Sequence, residues 1–215
     1  MSAVDVIRAA RLVAILRRAG DADALVARLA DARVRVVEIT LDSDDALGAI
    51  ERARARGGLT VLAGTVREPG QVDAAVAAGA EGIVGPTLSL PVLDRAAALG
   101  VAAIPGALTP TEIETAWRAG AALVKLFPAR LGGPRYVRDV LAPLPDVPLL
   151  VTGGVDAANA RRFLDAGAVA VGVGSGLGSD DELRRLVDAV EASRPNDREP
   201  PGTTGMEAPG ERLAT

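Results

Sequence analysis

A chain of 215 residues fits one domain with a sizeable core more easily than two. Hydrophobic residues make up 49% but aromatics only 2%, so the core must be built from Ala, Val, Leu and Ile, which suits parallel strands buried on both faces. The net charge of −4 is scattered rather than blocked, leaving no basic stripe for nucleic acid and no polybasic segment for a membrane surface. With neither Cys nor His, the chain has no disulfide framework, zinc ribbon or His-ligated metal site, and acid–base work falls to Asp, Glu, Lys, Tyr or water.

The first twenty residues carry charges on both sides of a very short apolar run, as neither a signal peptide nor a membrane span would. They are expected to hold a short N-terminal helix in a cytoplasmic protein. From there, short apolar runs alternate with longer amphipathic ones. Strands are predicted over 12–16, 34–39, 59–63, 82–84, 101–104, 122–127, 147–151 and 169–173. Helices are predicted over 21–32, 43–56, 69–78, 90–99, 110–119, 135–142 and 157–166, with a last one over 181–193. Gly79, Gly100, Gly120 and Gly167 each stand between a helix and the next strand, where glycine closes a helix.

Eight strands alternating with eight helices predict an α/β fold of the (β/α)8 TIM-barrel type, a single domain over 1–193. A doubly wound open sheet is the alternative, but no GxGxxG follows the first strand. Residues 194–215, rich in Pro, Gly and charge, are predicted to be a disordered tail.

In such a barrel the chemistry sits at the carboxyl ends of the strands. Those ends offer Arg17, Glu38 with Thr40, Thr65, Pro86, Lys125, Thr152 with Gly153 and Gly154, and Gly172, Gly174 and Ser175. Lys125 is the one lysine among 24 Lys plus Arg. Arginine stays protonated at usable pH, so only lysine can attack a carbonyl. By strand alternation Lys125 shares the barrel interior with Leu123 and Phe127, and Glu38 shares it with Val34 and Val36. Each buried charge costs several kcal/mol unless partnered. A structural Lys–Glu pair, or a lysine reaching out to solvent, is one reading; a nucleophile with its acid–base partner is the other. Gly153-Gly154 and Gly174-Ser175 have the form of loops that hold a phosphate through backbone N–H groups, or of simple turns.

The motifs VAILR (13–17), VEITL (37–41), AGTV (63–66), IPG (104–106), LTPTE (108–112), VKLFPA (124–129), GGPRYV (132–137), VTGGV (151–155) and VGVGSGL (171–177) occur in order. Through them the chain resembles the 2-keto-3-deoxy-6-phosphogluconate and 4-hydroxy-2-oxoglutarate aldolase family, which also includes 2-keto-3-deoxy-6-phosphogalactonate aldolases. The resemblance spans about 12–193. It implies a cofactor-free, metal-free class I aldolase, a homotrimer, acting on small phosphorylated sugar acids. It implies that Lys125 forms the Schiff base with pyruvate and that Glu38 shuttles protons. It further implies that Arg17, Thr65 and Thr152 hold the substrate carboxylate and that Gly153, Gly154, Gly174 and Ser175 hold the distal phosphate. Thr40, Pro86 and Phe127 would complete the pocket.

Three positions set this chain apart or bear on its substrate. Asp42 stands where many members have Arg, Arg130 where an acidic residue is common, and Thr152 matches the gluconate rather than the galactonate series. Phosphosugar isomerases, epimerases and thiamine-phosphate-type synthases share the phosphate loops but do not require a lone lysine facing a glutamate. An inert phosphosugar-binding barrel is the non-enzymatic reading.

Overall fold

The computed structural model describes residues 1–17 and 22–193. The predicted tail over 194–215, and residue 21 of the helix predicted over 21–32, lie outside them. Nine strand segments form a single all-parallel sheet: β1 (Leu12–Leu16), β2 (Val36–Thr40), β3 (Thr60–Gly64), β4 (Gly82–Val84), β5 (Ala102–Ile104), β6 (Gly106–Ala107), β7 (Val124–Leu126), β8 (Leu149–Thr152) and β9 (Ala170–Val173). Their order is β5-β4-β3-β2-β1-β9-β8-β7-β6.

The two outermost segments are one run of chain interrupted at Pro105, which has no N–H to give to a ladder. On one side this run pairs with β4; on the other, Ala122 N–H donates to Ala103 O and Lys125 N–H to Pro105 O, each at 2.9 Å. The sheet therefore rolls into a nearly closed barrel. The fifth predicted strand, at 101–104, becomes two segments reaching residue 107, because the proline divides it.

Helices α2 (Ala22–Asp31), α3 (Ala46–Arg56), α4 (Pro69–Ala77), α5 (Leu90–Ala98), α6 (Pro110–Arg118), α7 (Gly133–Leu141), α8 (Ala160–Asp165) and α9 (Asp180–Glu191) alternate with the strands. Proline stands in the first turn of α4, α5, α6 and α7, where the missing N–H costs nothing. Helix α8 begins later than predicted. Asp156 first accepts the amides of Ala158 and Asn159, making a turn of that stretch. Single 3-10 turns at Ala129–Leu131 and Ser175–Leu177 follow β7 and β9; hydrophobic periodicity carries no signal for turns so short.

Strand alternation divides the core in two. Outward-facing residues such as Val37, Ile39, Val61, Val124 and Val151 pack against Ile50, Val72, Ile113 and Phe163 of the helices. Inward-facing Val13, Val36, Leu62, Val84, Ile104, Leu123, Leu150 and Ala170 fill the barrel. Each fully buried aliphatic side chain contributes about 1.5–3 kcal/mol.

A further helix, α1 (Ala3–Ala10), closes the amino-terminal end of the barrel. Ser2 and Asp5 cap it reciprocally, and Ile7, Ala10 and the half-buried Ala3, Val4 and Val6 join the interior cluster. Arg11 then takes a left-handed conformation and turns the chain directly into β1. Among the described residues, no helix is long and apolar enough to cross a membrane.

Candidate active site

At the carboxyl ends of the strands the interior changes character. Glu38, central in β2, is 0% exposed, and Lys125, central in β7, is 5% exposed. They approach across the barrel, Nζ to Oε1 3.4 Å, in a geometry at the long end for an ion pair with a hydrogen bond. Two ions out of water cost several kcal/mol each, so this pair is maintained against solvation rather than for it.

Room for the carboxylate comes from β3. A Cβ on Gly64 would collide with Glu38 Oε1, so this strand passes where only glycine fits. The second carboxylate oxygen, Oε2, and the hydroxyl of Thr152 are buried without a hydrogen-bond partner among the described residues. Buried polar atoms are almost always satisfied, and those left over concentrate at functional sites. The Lys125 ammonium also lies 5.8 Å from the centroid of the Phe127 ring, within cation–π range.

Above the pair opens a cavity of about 620 Å³. Its wall includes Arg17, Lys125, Phe127, Thr152, Gly153, Gly154, Gly174 and Ser175, all of them singled out from the sequence. Arg17 follows β1, and its Nη2 donates to Thr65 Oγ1 at 3.3 Å. Thr65 itself has φ +59°, a left-handed conformation that is uncommon for a β-branched residue and is held by its surroundings at a local cost.

Gly153 and Gly154 have φ of +88° and +87°, a double turn that brings bare backbone to the cavity. A Cβ on Gly153 would meet the Phe127 ring, and one on Gly154 would meet the Arg130 side chain. The glycines thus let the loop after β7 pack onto the loop after β8.

Four other expected residues lie off the wall. Glu38 sits at the lysine head, and Thr65 is joined to the wall through Arg17. Thr40 is fully buried, its hydroxyl donating to Leu16 O at 3.2 Å and lying 3.3 Å from Ser43 Oγ. That hydroxyl ties β2 to β1. The Pro86 carbonyl packs where a side chain on Gly106 would be, so it helps shape the split strand. Asp42 is exposed and also off the wall.

Sequence reading missed Arg28 and gave no role to Arg130, both of which line the cavity. Arg28 Nε donates to Asp180 Oδ1 at 2.6 Å, and its Nη2 donates to the carbonyls of Leu177 at 3.3 Å and Gly178 at 2.7 Å. It thereby pins the loop after β9 to α2. Nothing in the chain distinguishes it from other helical arginines, so no local signal could have found it. Among the described residues the wall carries Lys125 and three arginines and no carboxylate, an electrostatic setting for an anionic ligand. Among the described residues, no cluster of acidic side chains could hold a metal ion.

A parallel barrel with a buried lysine–glutamate pair beneath a cationic mouth defines a class of α/β barrels shaped to receive a small anionic ligand. The comparisons narrow it. The family model for KDPG and KHG aldolase matches residues 4–192. The chain is 39% identical over 186 residues to the 2-dehydro-3-deoxy-6-phosphogalactonate aldolase of Escherichia coli strain K12, covering 84% of this chain and 87% of that one. A solved 4-hydroxy-2-oxoglutarate/2-dehydro-3-deoxyphosphogluconate aldolase from TTHB1 superposes with a TM-score of 0.79 at 36% identity, over 90% of this chain and 98% of that one. So does a KDPG aldolase from Legionella pneumophila with pyruvate captured as a covalent carbinolamine, with a TM-score of 0.76 at 25% identity over the same shares. The chain belongs to the KDPG/KHG aldolase family, whose named members are lyases.

Proposed function

We propose that this protein is a Schiff-base aldolase that reversibly cleaves 2-keto-3-deoxy-6-phosphogluconate to pyruvate and glyceraldehyde 3-phosphate. The observation that carries it is the position of the chain's one lysine, buried beneath the cavity within 3.4 Å of a fully buried glutamate.

In this reading the neutral amine of Lys125 attacks the C2 carbonyl, and loss of water gives an iminium. The iminium draws the electron pair of the C3–C4 bond toward nitrogen as the C4 hydroxyl passes its proton, through water, to the Glu38 carboxylate, releasing the aldehyde. The remaining enamine takes a proton at C3, and hydrolysis frees pyruvate. Glu38 relays the protons of carbinolamine dehydration and of C3; its unpartnered Oε2 is the oxygen available for a bridging water. Arg17, supported by Thr65, holds the substrate carboxylate together with the unpartnered Thr152 hydroxyl. Gly153, Gly154, Gly174 and Ser175 receive the phosphate, and Phe127 bounds the reacting carbons. No cofactor enters these steps.

Cleavage of the galactonate epimer at C4 is the second reading, favoured by the 39% identical relative named for that substrate. Thr152, which lines the cavity together with Lys125, favours the gluconate series. The test supplies each epimer, and unphosphorylated 4-hydroxy-2-oxoglutarate, to the purified enzyme and follows pyruvate release. A higher kcat/KM on the gluconate epimer supports the proposal; preference for the galactonate epimer installs the second reading, and no pyruvate from any of the three removes the aldolase assignment. A homotrimer in the cytoplasm is proposed with it, and light scattering on the eluted peak checks the assembly.

A further inference from the structure

Of the four cations that the described residues place on the cavity wall, three are engaged. Lys125 faces Glu38, Arg28 is held by Asp180 and two carbonyls, and Arg17 donates to Thr65. The guanidinium of Arg130 has no hydrogen bond or ion pair among the described residues, although it lines the same wall and no carboxylate does.

Its backbone fixes where that charge stands. Arg130 N–H donates to Gly153 O at 2.9 Å, and a Cβ on Gly154 would lie 2.7 Å from Arg130 Cβ. The side chain therefore starts from direct contact with the glycine pair, in the loop after β7, which β9 and β8 separate in the sheet from the Arg17 end of β1. An oxygen-rich dianion resting on those glycines would meet a planar fork of donors, the geometry in which arginine binds phosphate bidentately.

We propose that Arg130 is a specificity-determining residue that reads the distal phosphate of the substrate, adding a side-chain charge to the backbone loop. The proposal rests on the aldolase reading above and deepens it: the two ends of the substrate are held by two different arginines, Arg17 for the carboxylate and Arg130 for the phosphate. It also gives a chemical consequence to the basic residue standing where the family commonly has an acidic one.

The experiment compares kcat/KM for 2-keto-3-deoxy-6-phosphogluconate with that for 4-hydroxy-2-oxoglutarate, in the wild type, Arg130→Gln and Arg130→Lys, at low and high salt. Arg130→Gln is expected to lower the ratio of the two values by about tenfold or more, chiefly through KM of the phosphorylated substrate. Arg130→Lys should recover part of that, and the wild-type ratio should fall with salt more steeply than the Gln variant's. A Gln variant that keeps the ratio of a phosphate-preferring wild type overturns the Arg130 assignment alone. A wild type with no preference for the phosphorylated substrate overturns the phosphate reading, and Arg130 with it.

Discussion

At the amino-terminal end of the barrel, β2, β8 and the residue leading into β7 present Val36, Leu150 and Leu123, and α1 covers them with Val4, Ile7 and Ala10. Two residues further along, the same strands present Glu38, Lys125 and Thr152 to the same interior. The strand period is unchanged, so the difference lies entirely in side-chain chemistry. One end is sealed by a helix whose apolar face has no other place to go. The other holds a buried ion pair, two polar atoms without a hydrogen-bond partner among the described residues, and a residue in left-handed conformation. The plug supplies stability, and the rigid strands carry it upward to hold costly groups in place.

That contrast should break unevenly under mutation. The largest loss is expected from Lys125→Ala, which removes the proposed nucleophile and should lower kcat by at least about 10⁴-fold in steady-state assays. It also strands Glu38 without its partner, so melting should shift as well. Glu38→Gln comes next. The amide cannot shuttle protons, and kcat should fall about 10²- to 10⁴-fold while a Schiff base with pyruvate still forms, more slowly.

At the opposite end, Ile7→Ala should cost about 2–5 kcal/mol in denaturant unfolding while kcat holds. A large fall in kcat there would mean that the two ends are not separable. The smallest effect concerns Glu112, which accepts the amides of Leu108 and Thr109 at the start of α6. These backbone hydrogen bonds, the Thr109 amide first, hold its carboxyl below the ordinary glutamate value. A group depressed on folding stabilises above its unfolded value and loses that contribution as pH falls through the folded one. The melting difference between wild type and Glu112→Gln should therefore shrink below about pH 4.

Much of the productive end was legible because its signals are local. A lone lysine in an apolar run, a glutamate alternating with valines, and paired glycines after the last strands each announce themselves within a few residues. What stayed hidden depends on partners distant in the chain. Arg28 matters through Asp180, and Thr40 turned out to serve the sheet through Leu16. The left-handed φ of Thr65 is likewise met only in the folded chain, where Arg17 donates to its hydroxyl. The sealing role of α1 is of the same kind: a short helix was expected there, but its apolar face has meaning only once the barrel exists.

The central claim is that the charge buried at the open end is a nucleophile. With a single lysine, the chain has only Nζ of Lys125 and its α-amino group as primary amines. Borohydride reduction in the presence of pyruvate, followed by intact-mass and peptide mass spectrometry, decides between them. The account predicts one reduced pyruvyl adduct, on Lys125, with activity lost in proportion. A folded, unmodified protein, or an adduct confined to the α-amino group, would contradict it.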